Sequence, residues 1–286
     1  MARPLIQINV VGTDKRGVIA RFTGEIFKAG GNIEDLEQHV QDQVFAMTLE
    51  VDASDLKVPR AEFDQALRIA AEDLQMELRV YHHDQPRRAR VGVLVTREPA
   101  CLNALLAAQK SGQLNGDIVT VIGTTDALAP LAMDAGLQFH HVETGNQAVN
   151  EGKILEILSG ANIDLVVLAR YMRILSPKFV LRYLSRIINL HPSLLPSFPG
   201  ASAYRQAHQF GARIVGCTAH YVTTDLDRGP VIAQSAFAVE TSGQEKIEDI
   251  IRRGQALEGE TLLRAVQLHL AGRLRIVRNK VEILSE

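Results

Sequence analysis

The sequence has no tryptophan, only two cysteines and no long apolar run. Because Cys101 and Cys217 stand alone and no C-x-x-C motif occurs, a disulfide framework and a zinc cluster are both excluded. The first residues lack the apolar core of a signal peptide, and no unbroken run approaches the roughly 18 apolar residues of a membrane span. The sequence therefore predicts a cytoplasmic protein with reduced thiols and no membrane partner.

The chain also lacks an excess of charge of either sign. It has 31 Lys plus Arg against 33 Asp plus Glu, a net charge of −2. Since a nucleic-acid surface needs clustered positive charge, nucleic acid is excluded as a general partner. Apolar residues make up 46% of the sequence, an ordinary globular balance, and 286 residues allow two domains or one large one.

The first eighty residues follow a βαββαβ pattern. An alternating apolar strand over residues 5–11 precedes a helix that we expect to bury Val18, Ile19, Phe22, Ile26 and Phe27 before it stops at Gly30. A hairpin, a second helix over residues 59–74 and a strand over 76–81 complete the pattern. This pattern predicts a small α/β domain over residues 1–83.

A polar segment, residues 84–90, is predicted to link this domain to a second one over residues 91–286. Beyond it, helical segments separate short, strongly apolar runs, which are typical of parallel strands covered on both faces by helices. Further strands are predicted over residues 214–222 and 230–239, and a long helix over 244–271. The apolar runs cover residues 91–95, 118–122, 164–168 and 186–190.

The turn after the first apolar run of the second domain contains no glycine. A dinucleotide or phosphate cradle needs glycine there, because backbone N–H groups must approach the phosphate closely. Residues 96–101 read Thr-Arg-Glu-Pro-Ala-Cys instead. The sequence thus disfavours NAD, FAD or phosphate binding at this turn.

Two polar motifs follow apolar strands in the second half of the chain. Asn189 and His191 stand two residues apart at the end of a predicted strand, so their side chains point to the same side at the edge where α/β sheets bind ligands. A carboxamide and an imidazole can converge there on one oxygen atom. The second motif carries Asp225 and Asp227 in a turn between two strands.

These motifs resemble a known family. Asn189, His191 and Asp227, in the settings Asn-x-His-Pro-Ser-Leu-Leu-Pro and Leu-Asp-x-Gly-Pro, resemble the catalytic trio of folate-dependent formyltransfer enzymes, and residues 167–177 resemble their folate pocket. The first eighty residues resemble an ACT domain, and the fusion resembles the formyltetrahydrofolate deformylase family. The implied fold is α/β, with a ferredoxin-like ACT domain before a Rossmann-like formyltransferase domain whose sheet is mostly parallel.

The resemblance implies hydrolysis of 10-formyltetrahydrofolate to formate and tetrahydrofolate, which supplies formate for purine synthesis and balances the one-carbon folate pool. Asn189 and protonated His191 would stabilise negative charge on the formyl oxygen, and Asp227 would help to deprotonate water. Neither a metal nor a cofactor is implied. The residues implied to bind the folate are Met172, Arg173, Ile174, Leu175, Val222, Thr223 and Asp225.

An ACT domain implies a small amino-acid effector, with glycine and methionine as the candidates. The effector would bind between two turns at a subunit interface, so a homodimer or homotetramer is expected from the resemblance. The implied contact residues are Asp14, Arg16, Gly17, Asn32 and Ile33.

Three other functions remain open at this stage. Pro192 stands where deformylases commonly have a second His, as in glycinamide ribonucleotide transformylases, which transfer the formyl group to an amine. Transformylases need a glycine-rich phosphate loop, however, and residues 96–101 offer none. A tRNA formyltransferase would need a basic tRNA-binding domain, and an amino-acid sensor with an inactive catalytic domain would not need the trio. Hydrolysis is therefore favoured.

Overall fold

The N-terminal part of the chain forms a four-stranded antiparallel sheet covered by two helices. The strand order is β2-β3-β1-β4, so β1 lies inside the sheet and β2 at its edge. One face of β1 and β3 is apolar because buried and more exposed side chains alternate along much of each strand. The elements are β1 (Leu5–Thr13), α1 (Val18–Ala29), β2 (Asn32–Gln41), β3 (Val44–Asp52), α2 (Arg60–Asp73) and β4 (Glu77–His82).

Helix α1 begins and ends at glycines in the left-handed region, Gly17 at φ 87° and Gly30 at φ 83°. It buries Val18, Phe22, Ile26 and Ala29. The prediction that Ile19 and Phe27 are buried with them is wrong, since these side chains are 40% and 82% exposed. Each follows a buried residue by one position, which turns it about 100° around the helix and away from the sheet.

Most of the remaining described residues form a seven-stranded sheet of order β11-β10-β9-β8-β5-β6-β7, and the last two strands pair in a separate two-stranded antiparallel sheet. Strands β9, β8, β5, β6 and β7 run parallel, while β10 and β11 extend the sheet antiparallel. These elements are β5 (Ala89–Val95), α3 (Ala100–Lys110), β6 (Gly116–Gly123), a 3-10 helix (Asp126–Leu128), α4 (Ala129–Asp134), β7 (Gln138–His141), α5 (Gln147–Gly160), β8 (Leu165–Ala169), α6 (Pro177–Arg182), β9 (Ile187–His191), α7 (Ala203–Phe210), β10 (Ile214–Tyr221), β11 (Val231–Ala238), α8 (Ile247–Leu270), β12 (Leu274–Val277) and β13 (Lys280–Ile283).

This computed structural model describes residues 4–83, 88–143, 145–239 and 246–284, which divide into two units. One unit holds the described residues before Arg88 together with Pro177–Leu184, so α6 packs with the first sheet. The other holds Arg88–Ser176 and the described residues from Ser185 onward. Most of the predicted linker, residues 84–87, lies outside the described residues. The predicted fold class, an antiparallel α/β domain followed by a mostly parallel one, is confirmed.

The large sheet changes direction at β5. The chain proceeds from β5 outward through β6 and β7, then returns to the other side through β8 and β9. In such sheets a crevice opens beyond the carboxyl ends of the strands where the order reverses, and ligands bind there. The loops after β5, β8 and β9 therefore border the expected site.

The antiparallel pair β10 and β11 depends on a glycine at position 216. A β-carbon there would lie 2.1 Å from the Ser235 carbonyl oxygen, whereas one at Gly152 of α5 would meet nothing within 4 Å. Gly216→Ala should therefore lower the free energy of unfolding by about 1–3 kcal/mol. Gly152→Ala should raise it by about 0.5–1 kcal/mol, because alanine favours the helix. Denaturant unfolding of both variants measures these opposite changes in the free energy of unfolding. An unchanged free energy of unfolding in Gly216→Ala would contradict the prediction.

Candidate active site

Strand β9 carries Asn189 and His191 to the carboxyl edge of the large sheet. The antiparallel register with β10 places His220 opposite Asn189 and Thr218 opposite His191. The Thr218 hydroxyl donates to the Ser193 carbonyl at 2.6 Å, which fixes the start of the loop after β9. Two paired strands therefore set the spacing of the side chains at this edge.

Asp227 reaches the same place from the turn after β10. Its backbone is left-handed, with φ 55°, and its buried carboxylate accepts a hydrogen bond from the Gly200 N–H at 2.9 Å. The carboxylate lies 3.4 Å from His191 Nδ1 and 4.0 Å from His220 Nε2. The structure thus brings the side chains of Asp227 and His191 together, as the sequence motifs predict.

The His191 ring is held between two acceptors. Its Nε2 atom lies 3.1 Å from the Phe198 carbonyl oxygen, and its Nδ1 atom faces Asp227. Both ring nitrogens of this buried histidine therefore face hydrogen-bond acceptors.

His220 orients the carboxamide of Asn189. Its Nδ1–H donates to the Tyr221 carbonyl at 2.8 Å, which leaves Nε2 free to accept from Asn189 Nδ2 at 3.2 Å. Burial lowers the pKa of His220, and the Tyr221 carbonyl and Asp227 oppose this only in part. His220 is accordingly neutral at pH 7, as an acceptor must be. The sequence does not reveal this role, because only the strand register shows that His220 faces Asn189.

The loop predicted to contact folate is partly exposed. Met172 is 60% and Ile174 66% exposed and Arg173 also faces solvent, whereas Leu175 is buried. The loop is anchored at its start, where Thr96 Oγ1 donates to the Tyr171 carbonyl at 2.9 Å. Met172 and Ile174 therefore expose apolar side chains on an anchored backbone, whereas the Leu175 side chain is buried.

Glu151 of α5 anchors the other end of this loop. Its buried carboxylate accepts from the Ser176 N–H at 2.8 Å, from the Ser176 hydroxyl, and from Gln147 Nε2 at 2.9 Å. Gln147 also donates to the Ile174 carbonyl at 3.0 Å. Sequence reasoning missed Glu151, since its distance from residue 176 along the chain hides the contact.

The turn after β10 contains the other residues predicted to bind folate. The Val222 N–H donates to the Ile187 carbonyl at 2.9 Å and joins this turn to β9. The Thr223 hydroxyl donates to the Asp225 carbonyl at 3.1 Å, and the Asp225 side chain is exposed. Asp225 therefore lies on the solvent side of the turn, whereas Asp227 points inward.

The turn after β5 carries one acidic side chain, Glu98, which already has a partner. Glu98 accepts a hydrogen bond from Gln255 Nε2 of α8 at 3.0 Å. A carboxylate at this position repels a phosphate group. The geometry therefore agrees with the absence of a glycine cradle in residues 96–101.

The residues predicted to bind an effector lie along α1 in the first unit. Asp14 and Gly17 line a cavity of about 440 Å³, and Asn32 and Ile33 line a second of about 540 Å³. Ala20 lines both cavities, so they meet along one face of α1. Arg16 is exposed and lines neither.

In the described part of the chain, no group of three or more His, Cys, Asp or Glu side chains is placed to hold a metal ion. No helix among the same residues is long and apolar enough to cross a membrane.

Family models match both parts of the chain. Residues 89–266 match the formyl transferase family and residues 4–81 match the ACT domain. A formyltetrahydrofolate deformylase from Synechocystis is 35% identical over 95% of both chains, and one from Bacillus subtilis is 32% identical over 95% of this chain and 91% of that protein. The chain belongs to the formyltetrahydrofolate deformylase family. The family prediction made from the sequence is confirmed.

Solved structures separate this deformylase-family chain from the transformylases. A formyltetrahydrofolate deformylase from Pseudomonas syringae matches with a TM-score of 0.69 at 30% identity and covers 100% of this chain and 96% of that one. A glycinamide ribonucleotide transformylase from Symbiobacterium toebii matches with a TM-score of 0.67 at 34% identity and covers 97% of that chain but only 72% of this one. Deformylases therefore share the whole domain arrangement, and the transformylase shares part of it.

His220 offers a first test of the site. His220→Leu fills the buried position with an apolar side chain but removes the acceptor for Asn189. Because the carboxamide then loses its orientation, kcat should fall about tenfold. Steady-state kinetics check this, with circular dichroism to verify folding. The exposed His208 of α7 supplies the control, and an equal loss in His208→Ala and His220→Leu would contradict the assignment.

Glu151 offers a test of the loop after β8. Glu151→Ala removes the acceptor of the Ser176 N–H and loosens the end of the loop after β8. KM for the folate should therefore rise about five- to tenfold while kcat changes little. Glu156, an α5 residue that makes none of these loop contacts, supplies the control variant Glu156→Ala. A fall in kcat at unchanged KM would show that this loop does not serve binding.

Proposed function

We propose that this chain hydrolyses 10-formyltetrahydrofolate to formate and tetrahydrofolate through Asn189, His191 and Asp227. The observation that carries the proposal is the buried contact between His191 and Asp227 beside the oriented Asn189 carboxamide. Relatives that match over almost the whole chain are named formyltetrahydrofolate deformylase. The reaction would supply formate for purine synthesis and balance the one-carbon folate pool.

The formyl group is an amide-like carbonyl, so attack by water places negative charge on its oxygen. Donors that are fixed before the reaction stabilise such charge best. Asn189 is held by His220, and we assign its second Nδ2 hydrogen to the formyl oxygen. His191 contributes the second donor when its Nε2–H exchanges the Phe198 carbonyl for the substrate oxygen.

Asp227 is assigned to the proton of the attacking water. Its carboxylate lies beside the His191 ring and can accept the proton as the new C–O bond forms. The tetrahedral intermediate then breaks its C–N10 bond while N10 takes the proton held by Asp227, which yields formate and tetrahydrofolate and restores the carboxylate. No metal or cofactor takes part in this sequence of steps.

The folate would lie against the loop after β8 and the turn after β10. Met172 and Ile174 offer exposed apolar surface, and the backbone of Arg173 and Leu175 offers polar groups to a pterin ring. On the other side we assign contacts to Val222, Thr223 and Asp225, whose turn is joined to β9.

The first domain is assigned to regulation. Its limits remain those proposed from the sequence, with the ACT domain over residues 1–83, a linker over 84–90 and the catalytic domain over 91–286. Glycine or methionine would bind along α1, where the contact residues Asp14, Arg16, Gly17, Asn32 and Ile33 are proposed. We further propose a homodimer or homotetramer, and a cytoplasmic location that suits the buried free thiols of Cys101 and Cys217.

Release of formate without any amine acceptor separates hydrolysis from formyl transfer. The purified protein should release formate from 10-formyltetrahydrofolate alone, and Asp227→Asn should lower kcat by about 100-fold or more while folate binding remains measurable. Asp225→Asn is the matched control in the same turn and should change kcat far less. A requirement for an added amine, with the formyl group transferred to that amine and no formate released, would favour the transformylase alternative suggested by Pro192, and full turnover by Asp227→Asn would overturn the mechanism.

Effector binding is tested by titration with glycine and with methionine. The true effector should raise the melting temperature, because a ligand at 100 times its Kd stabilises the folded state by about 2.7 kcal/mol, and it should change the rate of formate release. Asp14→Ala should weaken both responses, whereas Asp134→Ala on α4 should not. If neither amino acid alters stability or rate, the effector proposal fails.

A further inference from the structure

A buried cluster of charged and polar side chains lies outside the trio, between the large sheet and its last helix. Glu258 of α8 is 0% exposed. It accepts a hydrogen bond from the Tyr204 hydroxyl at 2.9 Å and forms an ion pair with Arg170 at 3.5 Å. The three side chains come from a helix, the first turn of α7 and the end of β8.

We propose that Glu258 is a positioning residue that fixes the two loops bordering the catalytic side chains, one through Tyr204 and the other through Arg170. The inference rests on the proposed roles of His191 and Asp227. In this role Glu258 contacts neither the substrate nor the catalytic side chains and acts through the backbone of the two loops.

The loop after β9 supplies the two backbone groups that hold His191 and Asp227. The Phe198 carbonyl faces His191 Nε2, and the Gly200 N–H binds Asp227. The loop leads directly into α7, which starts at Ala203, so Tyr204 is only four residues beyond Gly200. Its bond to Glu258 therefore fixes the end of the loop that carries these two contacts.

The first half of this loop has its own anchors. The Leu195 N–H donates to Thr218 Oγ1 at 3.0 Å, and Gln234 Nε2 donates to the Leu195 carbonyl at 3.0 Å. These bonds lie before Phe198 in the chain. The second half is held from two sides. The Ser193 hydroxyl lies 2.6 Å from the Ser197 carbonyl and 3.2 Å from the Phe198 carbonyl. Helix α7 contributes the Phe210 ring against Phe198, Gln206 Nε2 on the Ala201 carbonyl at 2.7 Å, and Tyr204 on Glu258.

Helix α8 is shaped to receive Tyr204. A β-carbon at Gly254, one turn before Glu258, would lie 2.3 Å from the Tyr204 ring. Glycine inside a helix costs about 0.5–1 kcal/mol relative to alanine, so the helix gives up stability to admit the ring. Burial raises the pKa of the Tyr204 phenol, which keeps its hydroxyl a donor.

The cluster is not arranged for the greatest stability. Arg170 Nε and Glu258 Oε2 are buried and have no hydrogen-bond partner among the described residues. An incompletely paired buried ion pair contributes little to stability and can cost free energy, whereas it does fix geometry. Arg170 itself has a left-handed backbone, with φ 60°, directly before the loop assigned to folate. A positioning role explains why so costly an arrangement stands at the ends of both loops.

Four variants test the proposal, with kcat and KM measured separately for acceptor-free formate release. Tyr204→Phe keeps the ring but removes the hydroxyl, so kcat should fall about fivefold or more while KM changes less than twofold. Glu258→Ala should lower kcat at least as much. Glu258→Gln keeps an oxygen that accepts from Tyr204 and should recover most of the kcat lost in Glu258→Ala. The matched control is Thr261→Val, which removes a buried hydroxyl of α8 that bonds to Ser235 and to the Leu257 carbonyl rather than to Tyr204 or Arg170.

Coupling between the pair gives a second readout. If Tyr204 and Glu258 act through their mutual bond, the double variant Tyr204→Phe with Glu258→Ala should lower kcat no more than Glu258→Ala alone. Additive losses would overturn the proposal, as would wild-type kcat in a folded Tyr204→Phe or an equal loss in Thr261→Val. If Glu258→Ala does not fold, Tyr204→Phe and Glu258→Gln decide the question. A lower kcat in Tyr204→Phe with a kcat near wild type in Glu258→Gln supports the proposal, and a wild-type kcat in Tyr204→Phe overturns it. Failure of the catalytic mechanism would be recognised separately, by turnover in Asp227→Asn.

Discussion

The contact between the buried Asp227 carboxylate and the His191 ring is the interaction on which the rest of the site depends. A carboxylate removed from water needs partners, and Asp227 finds them in an imidazole 3.4 Å away and in the Gly200 N–H. His191 in turn needs an acceptor on its other side, which the Phe198 carbonyl supplies. Both backbone groups belong to the loop after β9. That loop must therefore be held in place for the two side chains to meet.

The large sheet and its last helix meet this need from two directions. Pairing of β9 with β10 sets His220 opposite Asn189 and fixes the first half of the loop through Thr218. The second half is fixed from α8, where Glu258 receives Tyr204. The loop assigned to folate is held mainly by Thr96 and Glu151, and it shares with the loop after β9 only the anchor at Glu258, through Arg170. Binding and chemistry are thus assigned to different loops with largely separate anchors, and separate effects on KM and kcat follow for Glu151 and for Tyr204.

The sequence predicts much of this site because its main determinants are local. Apolar runs reveal four of the five parallel strands but not β7, and two motifs place Asn189 and His191 at a strand end and Asp227 in a turn between strands. The contacts that hold them are not local. His220 faces Asn189 only through strand register, and Tyr204 reaches Glu258 across 54 positions of the chain. The predicted burial of Ile19 and Phe27 is wrong, because the apolar pattern of a helix does not show how wide a face of α1 the sheet covers.

The central claim is that water, held beside Asp227, is the acceptor of the formyl group. The most direct measurement is turnover of 10-formyltetrahydrofolate in water enriched in oxygen-18, with no amine present, followed by mass analysis of the formate. The formate should carry one oxygen from the solvent and form at the rate of tetrahydrofolate release. Formate without solvent oxygen, or transfer of the formyl group only to an added amine with no formate released, would contradict water as the acceptor.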